Sequence, residues 1–417
     1  MILRQSRILT KRMAHRLQFD RPDIVPSFFR FIKFVYRKFD IARNNKRHLA
    51  SKGYIEHYGV HMPRNNAGDT VLFDAVEKLF DQEIRPFEWR MVPVRKKVSG
   101  SDIDRINHNA SAVLVGGGGL FVADSVSESA SGWQWNIARE DLEKLHKPLI
   151  LFAVGFNQFR NGEEFQPIFD DHLKLTVSKA DFIGMRNSGS IARLKERLPA
   201  ELHTKVQFQP CMTTVLNRYF PDAVAVSSVA ENDKTIVLNL AFDRREQRFG
   251  IDEQSILENI KKALLRLVEL GWKIKAAVHA WDDDSMVEFL HRNKIPAEIC
   301  RLNLLSGPEI VQFYSKAPLT IGMRGHSQMI PFGCGKSIFS LISHDKMRFF
   351  LDDIGEPNWG AEISDPDLTD KIVTFVEQFP KNRLNYEKKI GLKQNEFWSI
   401  TQSNMSQISD IFARSRD

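Results

Sequence analysis

From about residue 53 the chain alternates between two patterns of apolar and polar positions. Short runs that are almost wholly apolar are each followed by a longer run whose apolar residues recur every three or four positions. The first pattern suits strands covered on both faces, and the second suits helices with one apolar stripe. GYIEHYGV (53–60) predicts a strand, PRNNAGD a turn and TVLFDAVEKLFDQ (70–82) a helix. SAVLVGGGG (111–119) predicts a buried strand entering a glycine turn, and PLILFAVGF (148–156) another strand. SKADFIGMRN predicts a short strand, and SGSIARLKERL a helix capped by Ser188 or Ser190.

The stretch PDAVAVSSVAENDK (221–234) is polar, rich in small residues and without periodicity, so it is expected to be a linker. The pattern then restarts. TIVLNLAF, WKIKAAVHA, PLTIGMRG and KSIFSLIS predict strands, and SILENIKKALLRLVELG, SMVEFLHRNK, GPEIVQFYSKA and SQMIPFGCG predict helices. Strands alternating with helices imply parallel sheets. The expected fold is α/β, with two Rossmann-like doubly wound domains (53–222 and 235–371) facing a central cleft. A basic arm (1–52) precedes them and a helical segment (372–417) follows. A chain of 417 residues exceeds what one hydrophobic core usually organises, which agrees.

Composition changes this picture at one end only. Residues 1–52 carry 14 Lys/Arg against three acids, a net of +11, so the rest of the chain nets −4 of the overall +7. A body with a slight acidic excess argues against nucleic-acid binding. Within the arm, Phe28, Phe31, Ile32, Val35 and Phe39 fall at helical spacing, with Arg30, Lys33, Arg37 and Lys38 on the other sides. Residues 26–40 therefore suit a helix lying on an anionic membrane surface, or one packed on the body with a solvated basic face; both readings stay open. No stretch approaches the apolar length of a membrane span. Three widely spaced cysteines, Cys211, Cys300 and Cys334, suit a reducing cytoplasm rather than a disulfide framework.

Candidate chemistry lies just after the predicted strands, where open α/β sheets place their ligands. Asn66, Gly68 and Asp69 form a turn into a helix, whose N-terminal N–H groups attract anions. Gly117, Gly118 and Gly119, with Gly116, lack the spacing of a dinucleotide or phosphate loop, so a close approach to that backbone is the expected reason for them, by a ligand rather than by packing. Arg186 could pair a carboxylate or phosphate through two hydrogen bonds, or make a structural salt bridge. His279 ends a strand before Asp282, Asp283 and Asp284; three adjacent acids rarely converge on one ion, and one is expected to cap the following helix. Arg324 and His326 would project to one side of a strand end, separated by Gly325.

Taken together, residues 54–360 resemble the polysaccharide pyruvyl transferase family. The resemblance rests on N-x-G-D at Asn66 to Asp69, the strand into Gly116–Gly119, M-R-N-x-x-S at Met185 to Ser190 and V-x-N-L at Val237 to Leu240. It rests also on His279 with Asp282 and Asp283, and on M-R-x-H at Met323 to His326, followed by a helix and a strand-loop ending at Lys346. QPCMTT (209–214) departs from the D-P pair expected there.

The resemblance implies a GT-B-like fold and transfer of the pyruvyl group of phosphoenolpyruvate to two sugar hydroxyls as a ketal. No metal or redox cofactor is implied. It further implies that Arg186, Arg324 and Lys346 bind the donor with help from Asn239 and the glycine and N-x-G-D segments. His326 would be the general acid, with His279 as second choice or as base for the sugar. The acceptor would be a sugar or lipid-linked oligosaccharide at the cytoplasmic membrane face, in (exo)polysaccharide synthesis. The competing expectations are a GT-B glycosyltransferase using a nucleotide sugar, for which no ribose-binding carboxylate follows Arg324, and an inactive scaffold of a polysaccharide assembly complex.

Overall fold

A computed structural model describes residues 53–414 apart from 61–65, 124–128, 161, 226–229 and 231. The basic arm and its 26–40 segment lie outside the described residues.

Twelve strands build two sheets. The first comprises β1 (Tyr54–Gly59), β2 (Trp89–Pro93), β3 (Ala110–Phe121), β4 (Leu149–Phe156), β5 (Phe182–Met185) and β6 (Val206–Phe208), in the order β2-β1-β3-β4-β5-β6. The second comprises β7 (Thr235–Asn239), β8 (Lys273–Val278), β9 (Ala297–Arg301), β10 (Leu319–Gly322), β11 (Ser337–Ile342) and β12 (Gly360–Glu362), in the order β12-β11-β10-β7-β8-β9. All pairings within both sheets are parallel. Every residue of β1, β4, β7 and β11 is buried, as expected of strands covered by helices on both faces. Read from β9, the second sheet has the Rossmann order, which reverses between β7 and β10. The first sheet reverses between β1 and β3. The fold is therefore α/β with two Rossmann-like sheets, flanked by helices, and the reversal points are where ligand crevices form.

Several local expectations are corrected. The glycine quartet is not a turn, because β3 runs through it to Phe121. Gly117 and Gly118 have φ of +76° and +124°, and the register with β4 slips between Gly118 and Phe121. Only glycine takes those angles without strain, so the quartet bends a strand rather than ending it. The expected linker begins with a short helix, Pro221–Ala225. The helix Ser188–Lys195 is capped by Asn187, whose side chain accepts from Ser190 N, rather than by either serine. Strands β2 and β9 and the helix Gly100–Asn109 were not anticipated, because each is short and carries charges that blur its apolar period, and β6 because three residues show no period at all.

The C-terminal helix Leu368–Arg414 ties the two sheets together. Its buried Ile372, Phe375 and Phe379 lie in the larger apolar core with the second sheet, where Phe375 meets Phe339 of β11. Further along, Asn404 donates to Phe208 O at 2.8 Å, and Phe412 meets Phe87 with ring centroids 5.0 Å apart. No helix among the described residues is long and apolar enough to cross a membrane.

Candidate active site

The carboxyl ends of β1, β3, β4 and β5 on one side, and of β7, β10 and β11 on the other, meet at a cavity of about 270 Å³. Its wall carries six cations, Arg95, Arg186, Arg244, Arg248, Arg324 and Lys346, against the carboxylates of Asp69 and Asp243. Such an excess in a partly dehydrated space repels cationic ligands and attracts anions.

On the first-sheet side, Arg186 follows β5 and is buried. Its Nε has no hydrogen-bond partner. Burial lowers the pKa of the guanidinium, with Cys211 and Asp69 opposing. The side chain passes over Gly155, where an added Cβ would stand 2.2 Å from Arg186 Nε. It also nears Gly119, whose added Cβ would stand 3.1 Å from Nη2. These glycines leave the room in which an arginine can lie against the strand ends.

Beside it the helix Ala67–Glu83 presents its N-terminus. Asn66 caps it by accepting from Gly68 N at 2.9 Å. The carboxyl of Asp69 is pushed up to about 6 by burial, against the pull of Lys346, Arg324, Arg186 and Arg95. An added Cβ on Gly68 would collide with the ring of His326, so the glycine makes room for that side chain.

The second-sheet side is organised by carboxylates. Asp283 is fully buried and accepts from His279 N at 2.8 Å, Ala280 N at 3.2 Å and Asn239 Nδ2 at 3.1 Å. Held in this way it takes Arg324, with Nη2 to Oδ1 at 2.6 Å. Asp243 takes the same nitrogen at 2.8 Å and Arg248 Nη2 at 3.0 Å. Burial opposes the charge on Arg324, but Asp283 and Asp243 more than offset it, and its pKa is raised. Lys346, in the first turn of the helix Asp345–Asp353, has no such offset. Burial and the neighbouring Arg248 and Arg186 hold its pKa well below the usual value, with Asp243 pulling the other way.

The structure thus brings together Asn66, Asp69, Gly118, Gly119, Arg186, Arg324, His326 and Lys346. It places the others elsewhere. His279 is fully buried with Nε2 against the hydroxyl of Tyr314, and its pKa is lowered to about 3 by burial and Arg324. It does not line the cavity. Asn239 is likewise buried and braces Asp283, and Gly117 shapes the strand without reaching the cavity wall. His326 is the first residue of the helix His326–Gly333 rather than a strand-end partner of Arg324. Its pKa is lowered by burial, Arg186, Lys346 and His279, so the imidazole is neutral while no anion is bound.

The three adjacent acids diverge, as Asp283 faces Arg324 and Asp284 pairs with Arg301 at 2.6 Å. Among the described residues, no group of three or more His, Cys, Asp or Glu is arranged to hold a metal ion. Sequence reasoning missed Asp243, Arg244 and Arg248. They follow β7 directly in the run DRREQR, and position after a strand was the signal that could have found them.

Solved structures share the fold. The S. aureus MnaA–UDP co-structure has the same fold at a TM-score of 0.51 and 15% identity, over 81% of this chain and 90% of that one. UDP-GlcNAc 2-epimerase from Neisseria meningitidis bound to UDP-GlcNAc gives 0.48 and 13%, over 81% and 94%. No curated protein matches the sequence. The sequence model of polysaccharide pyruvyl transferases does match, over residues 11–345. The chain belongs to the polysaccharide pyruvyl transferase family.

Proposed function

We propose that the protein transfers the pyruvyl group of phosphoenolpyruvate onto two hydroxyls of a sugar, forming a ketal during polysaccharide synthesis. The observation that carries this reading is Arg186, a buried guanidinium with an unpartnered Nε on the wall of a cation-rich cavity. A buried charge without a partner is costly, and a small anion with a carboxylate and a phosphate is a ligand that relieves it. Lys346 and Arg248 add charge from the opposite side, and the N-terminus of the helix Ala67–Glu83 adds its dipole. In this reading Arg324, tied to Asp283 and Asp243, positions the donor more than it neutralises it.

The reaction needs a proton on the methylene carbon of the enol and the removal of one from each hydroxyl. His326 is the acid. Burial depresses its basicity most and Arg186 and Lys346 add to it; the donor's negative charge opposes the cations and so favours the protonated imidazole. Protonation of the methylene carbon leaves the adjacent carbon electron-poor. The first sugar hydroxyl adds there and gives its proton to Asp69, whose pKa of about 6 suits a base at neutral pH. The bond from that carbon to the phosphate oxygen then breaks. The second hydroxyl closes the ketal, and its proton leaves with the phosphate. The chemistry assigned to these residues uses no metal or redox cofactor.

Calorimetric titration with phosphoenolpyruvate, UDP and GDP tests the reading. Saturable binding of phosphoenolpyruvate that is lost in Arg186→Ala is expected. Binding of a nucleotide in its place would overturn it in favour of a glycosyltransferase.

A further inference from the structure

A second cavity, of about 230 Å³, adjoins the first and shares Phe159 with it. Its other lining residues include Gln158 and Arg160 after β4, Arg193 of the helix Ser188–Lys195, and Asp345 and Phe349 of the helix Asp345–Asp353. Like the first cavity, it lies between the two sheets' loops at the carboxyl ends of their strands.

Its chemistry is different. Arg160 and Arg193 both pair with Asp345, and Arg160 also meets Glu362 at 2.9 Å. With Glu164 also on the wall, the charges of the lining balance, two arginines against two acids. A balanced rim has little pull on an anion but offers both donors and acceptors to hydroxyl groups. The floor is aromatic, formed by Phe156, Phe159 and Phe349. Phe159 stands at the boundary. Arg244, Arg248 and Lys346 approach its ring at 4.9, 5.4 and 6.0 Å, while His344 packs on it with ring centroids 4.0 Å apart.

We propose that this second cavity is the acceptor subsite and takes one neutral pyranose residue. Its apolar ring face would lie on the half-buried Phe349, and its hydroxyls would meet Gln158, Arg193 and Asp345. The inference rests on the proposed pyruvyl transfer and adds to it where the sugar sits. The shared Phe159 edge sets two hydroxyls of that residue beside the anion cavity, where the donor carbon must be reached. A cavity of this size holds a single ring, so recognition falls on the sugar that is modified and not on the chain beyond it.

The test is saturation-transfer difference NMR on the full chain with phosphoenolpyruvate present. The probes are the methyl β-glycosides of glucose, galactose and N-acetylglucosamine. At least one should give a signal, and Gln158→Trp, which fills the cavity, should reduce it at least fivefold. Arg193→Ala, which removes a polar group without adding bulk, should reduce it less. Calorimetric affinity for phosphoenolpyruvate should change less than twofold in both variants. No signal from any glycoside, or a signal that survives Gln158→Trp, overturns the subsite. A signal lost in Gln158→Trp by a protein that fails to bind phosphoenolpyruvate leaves the sugar subsite standing and removes the donor reading.

Discussion

The two walls of the cation-lined cavity each carry an arginine largely shielded from solvent, and they treat it in opposite ways. Arg324 on the second-sheet wall is held by Asp283 and Asp243, and Asp283 is itself fixed by two backbone N–H groups and Asn239. Arg186 on the first-sheet wall lies on glycine backbone with an unpartnered Nε. The first arrangement resembles the interior of any protein that must bury a charge, and it contributes to holding the fold. The second leaves a guanidinium whose charge burial opposes and only Cys211 and Asp69 favour. Position after a strand predicts both arginines equally; only their pairing tells them apart.

The comparison breaks most visibly if Asp283 is removed. Asp283→Ala leaves Arg324 with a weaker partner and frees two backbone N–H groups, so a stability loss of roughly 3–5 kcal/mol is expected. Urea unfolding measures it, and a loss below about 1 kcal/mol, the scale of an exposed pair, would show that Arg324 does not depend on Asp283. Arg186→Met should do the reverse. Removing an uncompensated buried charge leaves stability unchanged or raised, while affinity for phosphoenolpyruvate falls by roughly 1.5–3 kcal/mol per charge-assisted hydrogen bond lost. A destabilised Arg186→Met with unaltered binding would mean that the two arginines play the same structural part.

Gly155→Ala sharpens the contrast without touching a charge. The new Cβ would stand 2.2 Å from Arg186 Nε, so the guanidinium must move off the strand ends. Donor affinity is expected to fall on the order of tenfold, about 1.4 kcal/mol, which the same calorimetry reads. Unchanged affinity would show that the precise seat of Arg186 does not matter.

How far the sequence carried can be read from the same residues. Strand ends after apolar runs are visible without a structure, and that places Arg186, Arg324, His326 and Lys346 near one crevice. Which way a side chain turns is not visible. His279 ends a strand as plainly as the others do, yet Tyr314, 35 residues further along, draws its Nε2 into the core. The partners of Arg324 are 41 and 81 residues upstream, beyond any local pattern. The glycine quartet was legible as a need for close approach, but its continuation as a bent strand depends on the register with β4. Arg95 was missed because β2 alternates buried and half-buried positions over only five residues, too short a run for its period to stand out.

A third way of handling buried charge appears on the helix that caps the first-sheet wall. Glu77 pairs with no cation among the described residues, and its Oε1 lacks a hydrogen-bond partner there. Burial, with Asp74 and Asp81 adding to it, pushes its carboxyl up from 4.5 to about 8. The native state therefore keeps a proton that the unfolded chain loses above pH 4.5. Stability attributable to this group falls as pH rises from 4.5 and levels off above about 8. Glu77→Gln keeps the shape and removes the titration, so its melting temperature should exceed that of the wild type at pH 8.5 and match it near pH 4.5. A carboxyl carried from 4.5 to about 8 loses up to roughly 5 kcal/mol of stability between those pH values, so the gain at pH 8.5 is expected to be several kcal/mol. Parallel pH curves for the two proteins would show that Glu77 is charged in the fold and that some group compensates it, as Asp283 and Asp243 compensate Arg324.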